Sequence, residues 1–162
     1  MPENYILLER IELNATAASI TFNNIPQSGY TDLKIVISAL GNATEGMYIQ
    51  FNGSTANFTG RYLIGDGTNP SSGVLARYVG SIMSQTTTPN NTEIYIPNYT
   101  SSSNKSFSID NVQENNATLG YANIIAGLWS STAAITSVTI EAANSFKANS
   151  TFSLYGLSLI HI

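Results

Sequence analysis

Apolar and polar residues alternate with a period of two along most of this chain, in short runs separated by clusters of Asn, Gly, Ser and Pro. Successive side chains of a strand point to opposite faces, so this alternation predicts strands with one face buried. The runs fall at 5–13, 18–23, 32–40, 47–51, 58–64, 74–83, 92–96, 106–112, 118–128, 135–141 and 151–160. In the third run Leu33, Ile35 and Ile37 share one face and Val36 lies on the other, which predicts a central strand covered on both sides. The last run puts Phe152, Leu154 and Gly156 on one face and Tyr155, Leu157 and Leu159 on the other.

The connections carry turn chemistry. Pro26 and Pro97 each follow a run directly, where a missing N–H would interrupt a ladder, and so mark strand ends. Asn52-Gly53, Gly65-Asp66-Gly67 and Asn69-Pro70 supply the residues that tolerate positive φ or fix a turn. Helix signals are thin: residues 117–128 hold Ala, Leu and Ile, but Gly120 and Gly127 interrupt them and no capping box precedes them. This many short strands in one domain require two packed sheets or a closed barrel. The expectation is one all-β domain over residues 1–162, a jelly-roll-like antiparallel β-sandwich with Trp129, Phe51, Phe107 and Phe152 in its core.

Composition narrows the chemistry. The 162 residues include 43% hydrophobic ones, enough to bury a core, but only 10% charged ones, against about 25% in ordinary soluble domains. Eighteen asparagines, 20 serines and 17 threonines fill the polar half, so the expected surface is one of neutral amides and hydroxyls. The net charge of -4 is scattered without a basic run, which argues against nucleic acid as a partner. There is no cysteine for disulfides, thiol catalysis or Cys-type zinc sites. No run is long enough to span a membrane and Met1-Pro2-Glu3-Asn4 lacks the features of a signal peptide, so the expectation is a soluble chain without membrane contact.

Candidate sites are few. The one histidine, His161, is penultimate, where the rigid support that a triad imidazole needs is not expected. Asp66, Asp110, Glu93, Glu114 and Glu141 would have to converge in space to form a glycosidase pair or a calcium site, because their sequence spacing matches no ligand pattern. Solvated loop charges are the simpler expectation. Asn-x-Ser/Thr occurs at Asn14, Asn42, Asn52, Asn57, Asn90, Asn98, Asn104, Asn116 and Asn149, but chance triplets are frequent in so Asn-rich a chain and glycosylation presupposes export. Tyr30, Tyr48, Tyr62, Tyr78, Tyr95 and Tyr99 are the expected surface aromatics, suited to a subunit interface or a glycan platform. Nothing here calls for a cofactor or a metal, and no enzymatic role is expected.

Several strings, in order, resemble one family. Ser19-Ile20-Thr21-Phe22-Asn23-Asn24-Ile25-Pro26 is followed by Tyr30-Thr31-Asp32-Leu33, then Phe51-Asn52-Gly53 with Asn57-Phe58-Thr59, then Ile96-Pro97-Asn98-Tyr99 with Lys105. Gly127-Leu128-Trp129, Ile135-Thr136-Ser137-Val138 and Ser150-Thr151-Phe152-Ser153-Leu154-Tyr155-Gly156-Leu157 complete the pattern. Together they resemble small β-sandwich virion proteins of tailed bacteriophages, marine and cyanobacterial ones above all, with Phe58 where that family has tyrosine. The resemblance implies a capsid decoration or head-spike subunit on the outer capsid surface, partnered by the major capsid protein and by itself as a homotrimer. A related module occurs in tail fibres, so a receptor- or glycan-binding role on a host surface is the alternative. The lack of a fibre shaft favours decoration.

Overall fold

The structure, a computed structural model, describes residues 5–82, 88–114 and 120–158. Among these residues the chain forms twelve strands: β1 (Tyr5–Glu12), β2 (Ala17–Phe22), β3 (Asp32–Ala39), β4 (Glu45–Phe51), β5 (Phe58–Gly65), β6 (Pro70–Val74), β7 (Tyr78–Ile82), β8 (Asn90–Ile96), β9 (Lys105–Glu114), β10 (Gly120–Trp129), β11 (Val138–Phe146) and β12 (Thr151–Leu157). They build two antiparallel sheets packed as a sandwich. The larger runs β1-β12-β3-β8-β9-β10-β5-β6 and the smaller β2-β11-β4-β7. The pairing is nested: β1 lies on β12, β2 on β11, β3 between β12 and β8, and β4 between β11 and β7. The pairs β9·β10 and β5·β6 extend the larger sheet past that nested frame.

The inner faces follow the period-two alternation. Leu33, Ile35 and Ile37 of β3, Met47, Ile49 and Phe51 of β4, Ile94 and Ile96 of β8, Val138 and Ile140 of β11, and Phe152 and Leu154 of β12 are buried between the sheets. At one end Phe51 gathers Phe58, Phe107 and Trp129, each with ring centroids 5.5 Å from its own. All four expected core aromatics are buried. Gly127 makes room for this cluster, since a Cβ there would fall 2.1 Å from Phe107 Cε2.

Two expectations need correction. The run 74–83 is not one strand: it breaks between Val74 and Tyr78, and its halves join different sheets, β6 the larger and β7 the smaller. Arg77 turns the corner at φ 60, a conformation uncommon outside Gly and Asn. Its guanidinium pairs with Glu141 at 2.8 Å and its carbonyl accepts from Ile49 N at 2.8 Å, contacts that hold the turn without a turn residue to announce it. The second correction is β3, whose outer face (Lys34, Val36, Ser38) is half-buried by neighbouring strands rather than covered by a second layer.

Candidate functional site: the outer face of the larger sheet

Register across eight strands lines the outer face into rows. One row runs Leu7, Tyr155, Lys34, Tyr95, Ser108, Ala126, Arg61, Val74. The next runs Arg10, Ser153, Val36, Glu93, Asp110, Ile124, Leu63, Ser72. Large apolar side chains stand in water at both flanks of this face. On β1 these are Tyr5 (52% exposed) and Leu7 (50%); on the far side Ile124 (63%), Val74 (62%), Leu63 and Val112 are exposed. A concentration of such residues on one face is the mark of a contact surface, whereas isolated ones need no explanation.

The midline between the flanks is polar. Lys34 Nζ bonds Glu93 Oε1 at 2.7 Å and also lies 5.5 Å over the Tyr5 ring. Tyr95 donates its hydroxyl to Asp32 Oδ2 at 2.5 Å, and that hydrogen bond to a carboxylate, with burial adding to it, pushes the phenol up to about 12. Asp32 also accepts from Asn98 N at 2.9 Å, so one carboxylate ties β3 to the chain leaving β8. Glu93 and Asp110 sit directly opposite each other on β8 and β9. With Tyr95, Ser108, Ile109 and Ile124 they line a shallow depression of about 140 Å³ on the open sheet.

The other expected site residues are dispersed. Asp66 folds back on its own turn, and backbone N–H bonds from Asn69 and then Thr68 hold its carboxyl below the usual range. Glu141 lies on the smaller sheet with Arg77 and Gln50, and Glu114 ends β9. Among the described residues no group of three or more His, Asp or Glu could hold a metal ion. His161 lies outside them. No helix among them is long and apolar enough to cross a membrane.

The six tyrosines do not form one surface. Tyr48, Tyr62 and Tyr78 cluster edge to face, with centroids 6.2 Å apart for Tyr48 and Tyr78 and 6.0 Å for Tyr62 and Tyr78. Tyr78 is buried in this cluster, contrary to its expected place at the surface. Tyr30 is half-buried over Gly156, where a Cβ would meet its ring at 2.6 Å. Tyr99 departs furthest from the surface expectation. It is fully buried, donates its hydroxyl to Pro26 O, and its phenol is pushed up first by burial. Only Tyr95 lies on the outer midline.

Tyr99 shows what the family-like strings do in this fold. Ile25 N bonds Thr136 O, Ile135 N bonds Tyr99 O, and Gln27 Nε2 reaches the carbonyls of Ile25 and Ile135. Asn52 Oδ1 accepts from the backbone of Thr136 and Ser137 while its Nδ2 donates to Ala134 O. Lys105, 1% exposed, donates to the carbonyls of Ser101 at 2.6 Å and Ser103 at 2.5 Å; burial draws its amine below the usual value. Four of the quoted strings thus meet through these bonds, and their polar residues fasten loops to one another.

Sequence reasoning missed a polar interior beneath β7. Asn123 Nδ2 bonds Asn111 Oδ1 at 2.6 Å, Asn111 Nδ2 bonds Thr92 Oγ1 at 2.6 Å, and Asn90 joins Thr92 to Ala39 N. Gly80, at φ 126, permits β7 to press onto this ladder; a Cβ would fall 2.3 Å from Asn111 Cγ. Gln113 continues it, 7% exposed and with both amide atoms without a hydrogen-bond partner among the described residues. The signal was present in the alternation of β9, where Asn111 and Gln113 occupy the inward positions after Phe107 and Ile109. Compared with known protein families and curated proteins, the chain matches no family model and no curated sequence.

Proposed function

We propose that this chain is a bacteriophage virion structural protein, a decoration or cement subunit on the outer capsid surface, acting by protein contact without performing chemistry. The observation that carries this reading is the outer face of the larger sheet: Leu7, Leu63, Ile124 and Val74 are left in water there, while the inner positions of its central strands β12, β3, β8 and β9 are buried. Such a face has a partner to meet. The resemblance of the ordered strings to phage virion sandwiches names the partner, the major capsid protein together with further copies of this chain as a homotrimer. The nested strand pairing supports the finer reading of the fold as a jelly roll widened by β5·β6 and β9·β10.

A component that binds only the assembled shell stabilises that shell by mass action. Particles stripped of this protein therefore rupture at a lower temperature than decorated ones, and adding it back restores the difference. Identical rupture of the two would overturn the reading. The depression beside Tyr95 favours a second one, a glycan-binding module, because its carboxylates and ring offer acceptors and an apolar surface to a sugar. Binding on a glycan array together with unchanged particle rupture would select it.

A further inference from the structure

We infer that the polar interior beneath β7 is a built hydration site, in which Gln113 and Asn123 hold a pair of internal water molecules as a fixed part of the fold. Three buried side-chain atoms there have no hydrogen-bond partner among the described residues: Gln113 Nε2, Gln113 Oε1 and Asn123 Oδ1. Gln113 is 7% exposed and Asn123 1%. Buried amides in folded proteins are nearly always bonded, to protein or to ordered water, because an orphaned one gives up its hydration and gets nothing back.

Placement brings the three atoms into one neighbourhood. Across the β9·β10 ladder Gln113 faces Tyr121, and Asn111 faces Asn123. Gln113 and Asn123 are therefore diagonal neighbours on the inner face, roughly 7–8 Å apart at the backbone, a separation that long side chains reach across. No direct bond joins their amides. The Asn123 amide is also held in orientation, since its Nδ2 is committed to Asn111 Oδ1 at 2.6 Å and Asn111 in turn to Thr92. Over this ladder β7 packs across β9, and Gly80, lacking a Cβ, lets its backbone rest on Asn111.

The chemistry of the three atoms selects the occupant. Two are acceptors and one is a donor. A cation would satisfy the oxygens and leave the N–H group unmet, and an anion would do the reverse. The nearby carboxylates of Glu93, Asp110 and Glu114 occupy the outward, exposed positions of β8 and β9, so none is placed to balance a metal charge inside. Water both donates and accepts, and a buried water makes about three hydrogen bonds. One water spans Asn123 Oδ1 and the nearer end of the Gln113 amide. The far end of that amide points elsewhere and takes the second. Globular proteins hold roughly one buried water per 27 residues, so a pair in one polar cluster is an ordinary number for this chain.

Nuclear magnetic resonance on the purified chain tests this directly. The side-chain NH2 group of Gln113 is expected to show a nuclear Overhauser cross-peak to water with the sign of a long-lived bound molecule. Water-oxygen relaxation dispersion counts such molecules, and the double variant Gln113→Met, Asn123→Leu, which puts apolar atoms in their place, is expected to lose the pair while keeping the circular dichroism of the wild type. Should that variant fail to fold, the wild-type cross-peak decides alone. A Gln113 amide without that cross-peak overturns the inference. So does a folded double variant whose count of long-lived waters is unchanged, or a crystal structure in which the two amides bond each other or share a metal ion.

Discussion

The two outer faces of the sandwich solve the same problem in opposite ways. On the smaller sheet Thr21 and Thr139 share a hydroxyl bond at 2.8 Å, Gln50 bonds Glu141 at 2.5 Å, Glu141 pairs with Arg77, and Arg77 lies 5.7 Å over the Tyr48 ring. That face finishes its own hydrogen bonding and leaves no large apolar side chain exposed among its described residues. The larger sheet pairs Lys34 with Glu93 at its midline and leaves Tyr5, Leu7, Leu63, Ile124 and Val74 exposed toward its flanks, beside exposed charges such as Arg10 and Glu12. One face ties its polar side chains to one another; the other leaves large apolar side chains exposed.

Changes that break this contrast are ordered by size. Leu154 is buried between the faces, so Leu154→Ala removes support from both and is expected to cost about 2–5 kcal/mol in denaturant unfolding. A cost below about 0.5 kcal/mol would place the side chain at the surface instead. Glu141→Ala unfastens Arg77 and Gln50 on the smaller sheet and should cost roughly 1–3 kcal/mol, as for hydrogen bonds to a charged group. Self-association measured by light scattering should be unaffected by it.

The pH dependence sharpens the contrast on the other side. The Tyr95 phenol is raised from 10.0 to about 12 in the fold, so the folded state holds its proton more tightly than the unfolded chain. Its contribution is fully present below pH 10 and is lost between pH 10 and about 12. Tyr95→Phe should flatten that part of the alkaline stability profile, and an unchanged profile would mean that Asp32 does not hold the phenol. The smallest stability change is expected for Ile124→Lys, within about 0.5 kcal/mol of wild type, because the side chain is already in water.

Most of the fold was legible because one inward face imposes a period of two, and a one-residue slip would turn every buried side chain outward. The β3, β4 and β12 runs fixed their own faces in this way, and Asn52-Gly53 declared its turn, with both residues at positive φ and exposed. The corner at Arg77 was illegible because long-range contacts to Glu141 and Ile49 hold it, and nothing local marks it. Tyr99 was misplaced for a related reason: a tyrosine after Ile-Pro-Asn has the pattern of a loop aromatic until Pro26 arrives from distant sequence to accept its hydroxyl. The makeup of the outer face itself needed the sheet order, since Leu7 and Ile124 share a surface only once β12, β3, β8 and β9 are set between them.

Hydroxyl-radical footprinting at low and high protein concentration tests the contrast between the two faces most directly. The account predicts that Leu7 and Ile124 become protected together as concentration rises while Tyr48, on the smaller sheet, keeps its reactivity. Protection that appears on the smaller sheet, or on neither flank of the larger one, would contradict it.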